Sequence, residues 1–200
     1  MTTPHAHLVD DDEAIRDALS WLLQSRQIPC RSYASAEDFL AADPERMSGC
    51  VVLDIRMTGT SGLELFDILL ARGIRLPVIF LTGHGDVPMA VAALKKGAYD
   101  FFEKPFNDNE LVSRVMEALA HDERQRNARA SAQTITSRLE TLSGRERQIM
   151  ERILAGKLNK IIANELHISM RTVEVHRARL LEKMGVKTAV ELAQLLKGLD

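Results

Sequence analysis

The sequence predicts an α/β domain of about 120 residues followed by a small all-α domain. Three observations predict this architecture. Five short β-type runs alternate with helical patterns in the first part of the chain, only helical patterns follow Leu142, and the balance of charge changes sign between the two parts. Strands that alternate with helices at this spacing form βαβ units, and therefore a five-stranded, parallel, doubly wound sheet with helices on both faces.

The five predicted strands are short runs rich in apolar and β-branched residues. They are HAHLV (5–9), PCRSY (29–33), CVVLDI (50–55), PVIFL (77–81) and YDFF (99–102). The intervening segments carry apolar residues at a helical period, as at Ile15, Leu19, Leu22 and Leu23 and again at Leu63, Phe66, Leu69 and Leu70. We therefore assign residues 1–120 to one domain, whose reactive site is expected beyond the carboxyl ends of the strands.

A fifth helical pattern begins at 107 and loses its apolar residues after Leu119. We interpret residues 121–140 as a helical linker in which the segment SAQTITS interrupts the pattern, and residues 141–200 as the second domain. Ser143 and Glu146 have the spacing of a capping box, which marks the start of a helix. The remaining features of this domain are Gly156 closing that helix, NKIIANEL as a second helix, HIS as a tight turn, 170–184 as a third helix, and 187–199 as a fourth after Gly185.

The charge is unevenly distributed along the chain. Residues 1–120 hold 11 Lys and Arg against 18 Asp and Glu, a balance of −7, whereas residues 121–200 hold 15 against 10, a balance of +5. The basic second part favours a polyanionic partner, although an ordinary solvated surface would also account for this charge.

Cysteine usage and hydropathy place the chain in a broad class. Cys30 and Cys50 lie in apolar stretches and match no metal-ligand spacing, so we expect two buried thiols in a reducing compartment. The N-terminus has no basic region followed by an apolar stretch, and no window approaches the roughly 18 apolar residues of a membrane helix. We therefore expect a cytoplasmic protein.

Chemically useful side chains follow the predicted strands. They are Asp10, Asp11 and Asp12 after the first strand, Asp54 at the end of the third, Thr82 after the fourth and Lys104 after the fifth. Asp12 alone could cap the following helix, but three consecutive acids exceed what one cap requires. Closely spaced carboxylates repel unless a cation neutralises them, and their oxygens suit magnesium. Taken singly, Thr82 and Lys104 could equally be a strand-end hydroxyl and a surface charge.

A carboxylate nucleophile, a metal, a hydroxyl and a lysine would together cover the oxygens of a phosphoryl group in transfer. No Gly-rich phosphate loop is present, which argues against a nucleotide-binding P-loop.

The pattern also resembles a known family. The pair Asp10–Asp11, Asp54 after an apolar strand, Gly62 eight residues on, Thr82 and the KPF of 104–106 resemble the receiver domain of two-component response regulators, with its sheet order 2-1-3-4-5.

The resemblance implies roles for these residues. Asp54 would accept a phosphoryl group from a histidine of a partner sensor kinase, and Asp10, Asp11, Asp54 and the backbone carbonyl of Arg56 would hold Mg²⁺ or Mn²⁺. Thr82 and Lys104 would bind the phosphoryl oxygens, Phe101 would occupy the aromatic switch position, and the Lys104–Pro105 bond would be cis. The chain departs from the family at Thr58, where proline is common, and we expect a less rigid loop there.

In the basic part, two short helices joined by a tight turn predict a geometry that places the second helix in a DNA major groove. On the 170–184 helix, the predicted buried face comprises Val173, Arg177 or His176, Leu180 and Met184, and the predicted exposed face comprises Arg171, Glu174, Val175, Ala178 and Glu182. Small central residues flanked by arginines suit DNA, with Arg171 at one flank. A solvated amphipathic helix is the alternative.

The segments LSGRE, NKIIANEL, RTVEVHR and LLEKMGV resemble the LuxR-type helix-turn-helix. The resemblance implies promoter binding as a dimer, contact with RNA polymerase, base contacts from Glu174, Val175 and Ala178, and phosphate contacts from Lys160, Thr172, Arg177, Arg179 and Lys183. At Leu158 the chain departs from the family, which usually has Ser, Thr or Pro there, and Asn159 could take over the lost cap. The last helix carries more apolar surface than one small core requires, a potential dimer seam formed by Ala189, Leu192, Ala193, Leu195, Leu196 and Leu199.

Residues 81–106 further resemble the FixJ-like subgroup, in which dimerisation of the receiver releases the output domain. We therefore interpret the chain as a response regulator that catalyses only its own phosphoryl uptake and hydrolysis. A magnesium-dependent phosphohydrolase is disfavoured because no separate general acid and no substrate-recognition cap is evident. A DNA-binding protein that is active without phosphorylation stays open.

Overall fold

The structure is a computed structural model that describes residues 3–83 and 87–198. The strands are β1 (His5–Val9), β2 (Cys30–Tyr33), β3 (Gly49–Asp54), β4 (Val78–Thr82) and β5 (Asp100–Glu103). The helices are α1 (Glu13–Ser25), α2 (Ala36–Ala41), α3 (Gly62–Ala71), α4 (Val87–Lys95), α5 (Asp108–Glu140), α6 (Gly144–Leu154), α7 (Asn159–Glu165), α8 (Met170–Met184) and α9 (Ala189–Lys197), with a 3-10 turn at Pro44–Arg46. The chain divides into two compact units between Arg126 and Asn127.

The first unit is built on a parallel sheet of order β2-β1-β3-β4-β5, as predicted. The central strand β3 is buried along its whole length, because helices cover both faces of the sheet. Its alternate residues enter opposite cores, with Val51 and Leu53 packing in the core of α2, α3 and α4, and Cys50 and Val52 in the core of α1 and α5. The predicted strands and the doubly wound fold are therefore confirmed.

The prediction of two buried thiols is only half right. Cys50 on β3 is fully buried, and burial raises the pKa of its thiol to about 12. Cys30 is half-buried because β2 is the edge strand of the sheet.

Helix α5 corrects the predicted interruption at SAQTITS. The helix is continuous to Glu140, because Ile135 and Leu139 lie four residues apart on one face and pack in the core of the second unit. The Thr134 hydroxyl donates to the backbone oxygen of Ala130 at 2.8 Å, so this β-branched residue is accommodated inside the helix.

The second unit contains α6 to α9 as predicted, within one or two residues at their ends. The capping box at its start is confirmed, with Ser143 N donating to Glu146 Oε2 at 2.8 Å. Leu158 precedes α7 without any side-chain cap, and Asn159 does not replace it because its oxygen accepts from Arg177 at 3.0 Å.

The predicted dimer seam on α9 is wrong for Leu192, because the core of the second unit takes up part of the apolar face of this helix. Leu192 is fully buried in the core of the second unit, and Ala189, Leu195 and Leu196 are half-buried against the same core. Leu199, the last member of the seam, lies outside the described residues.

Candidate functional site

The carboxyl ends of four parallel strands bring the predicted reactive residues of the first unit to one edge of the sheet. Asp10 follows β1, Asp54 ends β3, Thr82 ends β4 and Lys104 follows β5. The Lys104 Nζ atom lies 2.6 Å from Asp54 Oδ1 and 3.2 Å from Asp10 Oδ2. Sequence reasoning placed these residues at this edge, and the structure joins three of them in one ion-pair cluster.

Both carboxylates of this cluster are buried, with Asp10 2% and Asp54 7% exposed. Burial raises the pKa of the Asp54 carboxyl, against the opposing effect of Lys104. For Lys104, burial alone would lower the pKa of its amine, but the hydrogen bonds and charges of Asp54 and Asp10 outweigh it and raise that pKa. Lys104 therefore remains a cation beside Asp54.

The backbone around Asp54 fixes the orientation of its carboxylate. Its second oxygen, Oδ2, accepts a hydrogen bond from the Arg56 N–H at 2.8 Å. Helix α3 begins close behind it at Gly62, where a Cβ atom would lie 2.0 Å from the Asp54 carbonyl oxygen. Only glycine allows this close approach of α3 to the end of β3, which explains its place in the sequence pattern.

Asp12 and Asp10 are held by the start of α1. Asp12 is its N-cap, as predicted, and accepts from the Ala14 N–H at 2.9 Å. The Asp12 N–H in turn donates to Asp10 Oδ1 at 2.9 Å. The first and third acids of the DDD run therefore have separate structural roles.

Asp11 has a different partner from the other acids. It is exposed, and its Oδ2 accepts two hydrogen bonds from Thr58, one from the N–H at 2.8 Å and one from the hydroxyl at 2.5 Å. These bonds lower the pKa of the Asp11 carboxyl. Sequence reasoning identified Thr58 as a departure from the family but missed this contact, because the two residues are 47 positions apart.

The loop around Thr58 is also fixed on its far side. The Thr60 hydroxyl donates to Glu37 of α2 at 2.5 Å, and Ser61 forms a capping box with Glu64 at the start of α3. Hydrogen bonds of Thr58, Thr60 and Ser61 therefore link this loop to its neighbours, and the effect of the missing proline on its rigidity stays a prediction.

Thr82 and Phe101, the predicted switch residues, lie on the neighbouring strands β4 and β5. Thr82 is completely buried, and its hydroxyl donates to the Gly83 carbonyl at 3.2 Å. Phe101 is half-buried on β5 and lies opposite Phe80 of β4. The Lys104–Pro105 bond is cis, which confirms that prediction.

The chemistry of the three acids suits a hard cation, since carboxylate oxygens are the ligands that magnesium prefers. The distances between these acids, however, do not form a complete metal site. Within residues 3–83 and 87–198, no group of three or more His, Cys, Asp or Glu side chains is close enough together to hold a metal ion. Of the three predicted carboxylate ligands, Asp10 and Asp54 pair with Lys104, whereas Asp11 is bound by Thr58.

The second unit presents an exposed face on α8. The turn between α7 and α8 spans 166–169, and Ser169 caps α8 by accepting from the Thr172 N–H at 3.1 Å. The predicted exposed face is confirmed for Arg171, Glu174, Val175, Ala178 and Glu182, and Lys160 and Arg179 are exposed as well. The predicted buried face is confirmed for Val173, Leu180 and Met184, with His176 and Arg177 half-buried at its edge.

Two predicted phosphate contacts have partners inside the second unit. Arg177 donates to Asn159 and so joins α8 to α7. Lys183 Nζ lies 2.7 Å from Glu146 Oε2 and 3.0 Å from the Thr141 carbonyl oxygen. Burial alone would raise the pKa of the Glu146 carboxyl, but Lys183 and Ser143 outweigh it and lower that pKa.

Each helix among the described residues is too short or too polar to span a membrane.

Comparison with known proteins identifies both units. Residues 6–116 match the family described as response regulator receiver domain, and residues 140–196 match bacterial regulatory proteins of the luxR family.

Full-length relatives share both units. The C4-dicarboxylate transport transcriptional regulatory protein DctR of Rhodobacter capsulatus is 50% identical over 192 residues, covering 94% of this chain and 97% of its own. The transcriptional regulatory protein FixJ of Bradyrhizobium diazoefficiens is 45% identical, covering 98% and 96%. Both relatives are named as transcriptional regulatory proteins.

Solved structures agree with this assignment. The response regulator StyR has a TM-score of 0.91 at 36% identity, covering 98% of this chain and 99% of its own. Full-length FixJ from B. japonicum has a TM-score of 0.62 at 43% identity, covering 100% and 98%. The chain therefore belongs to the two-component response regulators that join a receiver domain to a LuxR-type helix-turn-helix DNA-binding domain and regulate transcription.

Proposed function

We propose that Asp54 is the phosphoacceptor of this response regulator and that a phosphohistidine of a partner sensor kinase is the donor. A carboxylate oxygen of Asp54 attacks phosphorus, the P–N bond breaks, and the histidine nitrogen leaves with the electron pair and takes up a proton. The observation that carries this proposal is the buried Asp54 carboxylate with the Lys104 ammonium 2.6 Å away. Lys104 is positioned to meet the phosphoryl oxygens and to stabilise their negative charge.

Receiver domains generally use Mg²⁺ at the phosphorylation site, where it offsets the negative charge of the carboxylates and the phosphoryl group. We assign Asp10, Asp11, Asp54 and the backbone carbonyl of Arg56 as its ligands in this chain. The charges support this assignment, since Lys104 pairs with two buried carboxylates, Asp10 and Asp54, and Asp11 adds a third negative charge from the same end of β1. Mn²⁺ has the same preference for oxygen ligands and would serve in its place.

Phosphorylation would act on the far side of the site through Thr82 and Phe101. A phosphoryl group adds about −1.5 to −2 charge at neutral pH, a magnitude taken from phosphorylated hydroxyl side chains. The Thr82 hydroxyl leaves the Gly83 carbonyl for a phosphoryl oxygen, and Phe101 turns into the space that Thr82 vacates. The changed surface of α4 and β5, where Met89 and Val91 are each 40% exposed, then pairs with a second receiver.

The second unit would bind promoter DNA as a dimer, with α8 in the major groove and the half-buried apolar side chains of α9 as a dimer seam. Glu174, Val175 and Ala178 would face base edges, and a Glu174 carboxylate could accept from a cytosine amino group. The exposed basic side chains of Lys160, Arg171 and Arg179 and the half-buried hydroxyl of Thr172 would contact phosphates, with Arg177 and Lys183 as further candidates. A bound dimer would act on transcription through RNA polymerase.

Incubation with acetyl phosphate and Mg²⁺ tests the phosphoacceptor. We expect one phosphoryl group per chain by intact-mass spectrometry, slow loss of that group, and no uptake by Asp54→Asn. Multiple turnovers on small phosphoesters would instead indicate a phosphohydrolase and would contradict the proposal.

Operator selection with and without a stable phosphoryl mimic tests the switch, with sedimentation of the same samples to report oligomeric state. We expect the mimic to produce dimers and to tighten operator binding at fixed salt. A DNA-binding protein that works without phosphorylation would give Asp54→Ala the operator affinity of the phosphorylated wild type.

A further inference from the structure

Thr58 bears directly on the proposed magnesium site. It replaces the proline that is common in the family at this position, and proline has neither an N–H nor a hydroxyl. Both donors of Thr58 bind the same oxygen of Asp11, at 2.8 Å from the N–H and 2.5 Å from the hydroxyl. Hydrogen bonds to an ionised acceptor are among the stronger ones in proteins. A single residue therefore supplies Asp11 with two partners that a proline could not provide.

These hydrogen bonds separate Asp11 from the other two acids. Asp10 and Asp54 converge on Lys104, whereas Asp11 turns to the loop between β3 and α3. No three acidic, histidine or cysteine side chains within the described ranges stand close enough to share a cation. Asp11 is exposed, so its side chain can turn without disturbing a packed core.

The loop does not depend on Thr58 for its position. Thr60 is bound to Glu37, the N-cap Ser61 is bound to Glu64, and the Gly62 N–H donates to the Ile55 carbonyl at 3.0 Å. None of these contacts involves Asp10, Asp11, Asp54 or Lys104. The bonds of Thr58 therefore act mainly on Asp11.

We propose that Thr58 competes with magnesium for Asp11 and thereby lowers the magnesium affinity of this receiver. Asp11 must leave the N–H and hydroxyl of Thr58 before it joins Asp10 and Asp54 around the cation. This inference rests on the proposed function, because it concerns the same metal site. A receiver with proline at this position has no such competitor.

Titration calorimetry of Mg²⁺ into the unphosphorylated full-length chain tests the inference without any activity measurement. Thr58→Val removes the hydroxyl and keeps the N–H, and we expect it to bind Mg²⁺ about 3- to 10-fold more tightly, the range that one net hydrogen bond supplies. Thr58→Pro removes both donors and should bind at least as tightly as Thr58→Val. Thr58→Ser keeps both donors and should restore the wild-type affinity.

Thr60→Val is the matched control. It removes a threonine hydroxyl from the same loop, but that hydroxyl binds Glu37 rather than a proposed metal ligand. We expect its magnesium affinity to equal that of the wild type.

The outcomes separate this inference from the proposed function. If the wild type binds Mg²⁺ and Thr58→Val binds it equally or more weakly, Thr58 orients Asp11 instead of competing for it, and the inference is overturned while the metal site stands. If the wild type binds no Mg²⁺, or if Asp11→Asn binds it as well as the wild type, the proposed ligand set fails and the inference fails with it.

Discussion

Lys183 has two candidate roles, one in the stability of the second unit and one in DNA binding. Its sequence position suggests a phosphate contact, but its ammonium lies against the Glu146 carboxylate and the Thr141 carbonyl oxygen. We expect Lys183→Met to destabilise the second unit, because methionine keeps much of the side-chain volume and removes the charge. The proposed DNA contacts of the other exposed residues would be left in place.

The magnitude follows from the burial of Glu146, which is 3% exposed. Removing one partner of a buried polar group costs about 1–3 kcal/mol. Ser143 N remains bound to Glu146 after the substitution, and the Lys183 side chain is 38% exposed, so we take a value of about 1.5 kcal/mol. For a unit of this size, 1 kcal/mol shifts the melting temperature by about 4–8 °C, and the expected loss is therefore roughly 6–12 °C.

Thermal unfolding followed by two signals measures this loss in the full-length chain. Trp21 of α1 is the single tryptophan and reports the first unit by fluorescence, while far-UV circular dichroism also reports the helices of the second unit. Lys183→Met should lower the dichroism transition of the second unit and leave the tryptophan transition unchanged. Lys160→Met is the control, since Lys160 is exposed on α7.

The salt dependence of operator binding completes the comparison. Loss of one phosphate contact reduces the slope of log K against log salt by about 0.9. We expect that reduction for Lys160→Met, without any change in unfolding. If Lys183→Met instead unfolds like the wild type and shows the reduced slope, the assignment of Lys183 to the fold is wrong.

Three further predictions concern the folds of the two units. Gly49→Ala should destabilise the first unit by more than about 2 kcal/mol, because Gly49 has φ +117° and a Cβ would lie 1.9 Å from the His5 carbonyl oxygen. The urea midpoint, read from tryptophan fluorescence, should fall accordingly. An unchanged midpoint would contradict the structure. Burial lowers the pKa of His7 to about 4, so the unfolded chain binds more protons than the folded chain between about pH 6.5 and 4. The stability of the first unit should therefore fall as the pH falls through that window. His7→Gln should flatten this dependence, and an equal slope in both proteins would refute the assignment. Arg138→Met should destabilise the second unit by about 1 kcal/mol in dichroism melts, because Arg138 donates to the Met184 carbonyl oxygen at 2.7 Å, and a melt identical to that of the wild type would show that this bond contributes nothing.

The strands and the caps were predictable because their signals are local. Apolar runs bounded by polar residues mark β3 and β4, and short polar side chains at fixed spacing mark the N-caps at Asp12 and Ser143. The convergence of Asp10, Asp54 and Lys104 was predictable from a rule of parallel sheets, since the carboxyl ends of the strands meet at one edge. Here the sequence is sufficient because each feature depends on neighbours along the chain or on a general property of the fold.

The features that were missed depend on distant partners. Thr58 reaches Asp11 across 47 positions, and Lys183 reaches Glu146 across 37, and no local pattern reports either distance. The continuity of α5 through 131–137 was missed for a related reason. The polar residues there are weak helix formers, and packing of Ile135 against the core of the second unit outweighs that preference.

The end of α5 has a consequence for exchanging output domains between response regulators. The matched LuxR-type segment begins at 140, but Ile135 and Leu139 belong to the core of the second unit, and Arg138 holds the last turn of α8. A chimera joined at 140 would replace these side chains with those of a foreign helix and leave the transplanted core open on one side. A chimera joined between Arg126 and Asn127 would carry α8 together with the residues that support it.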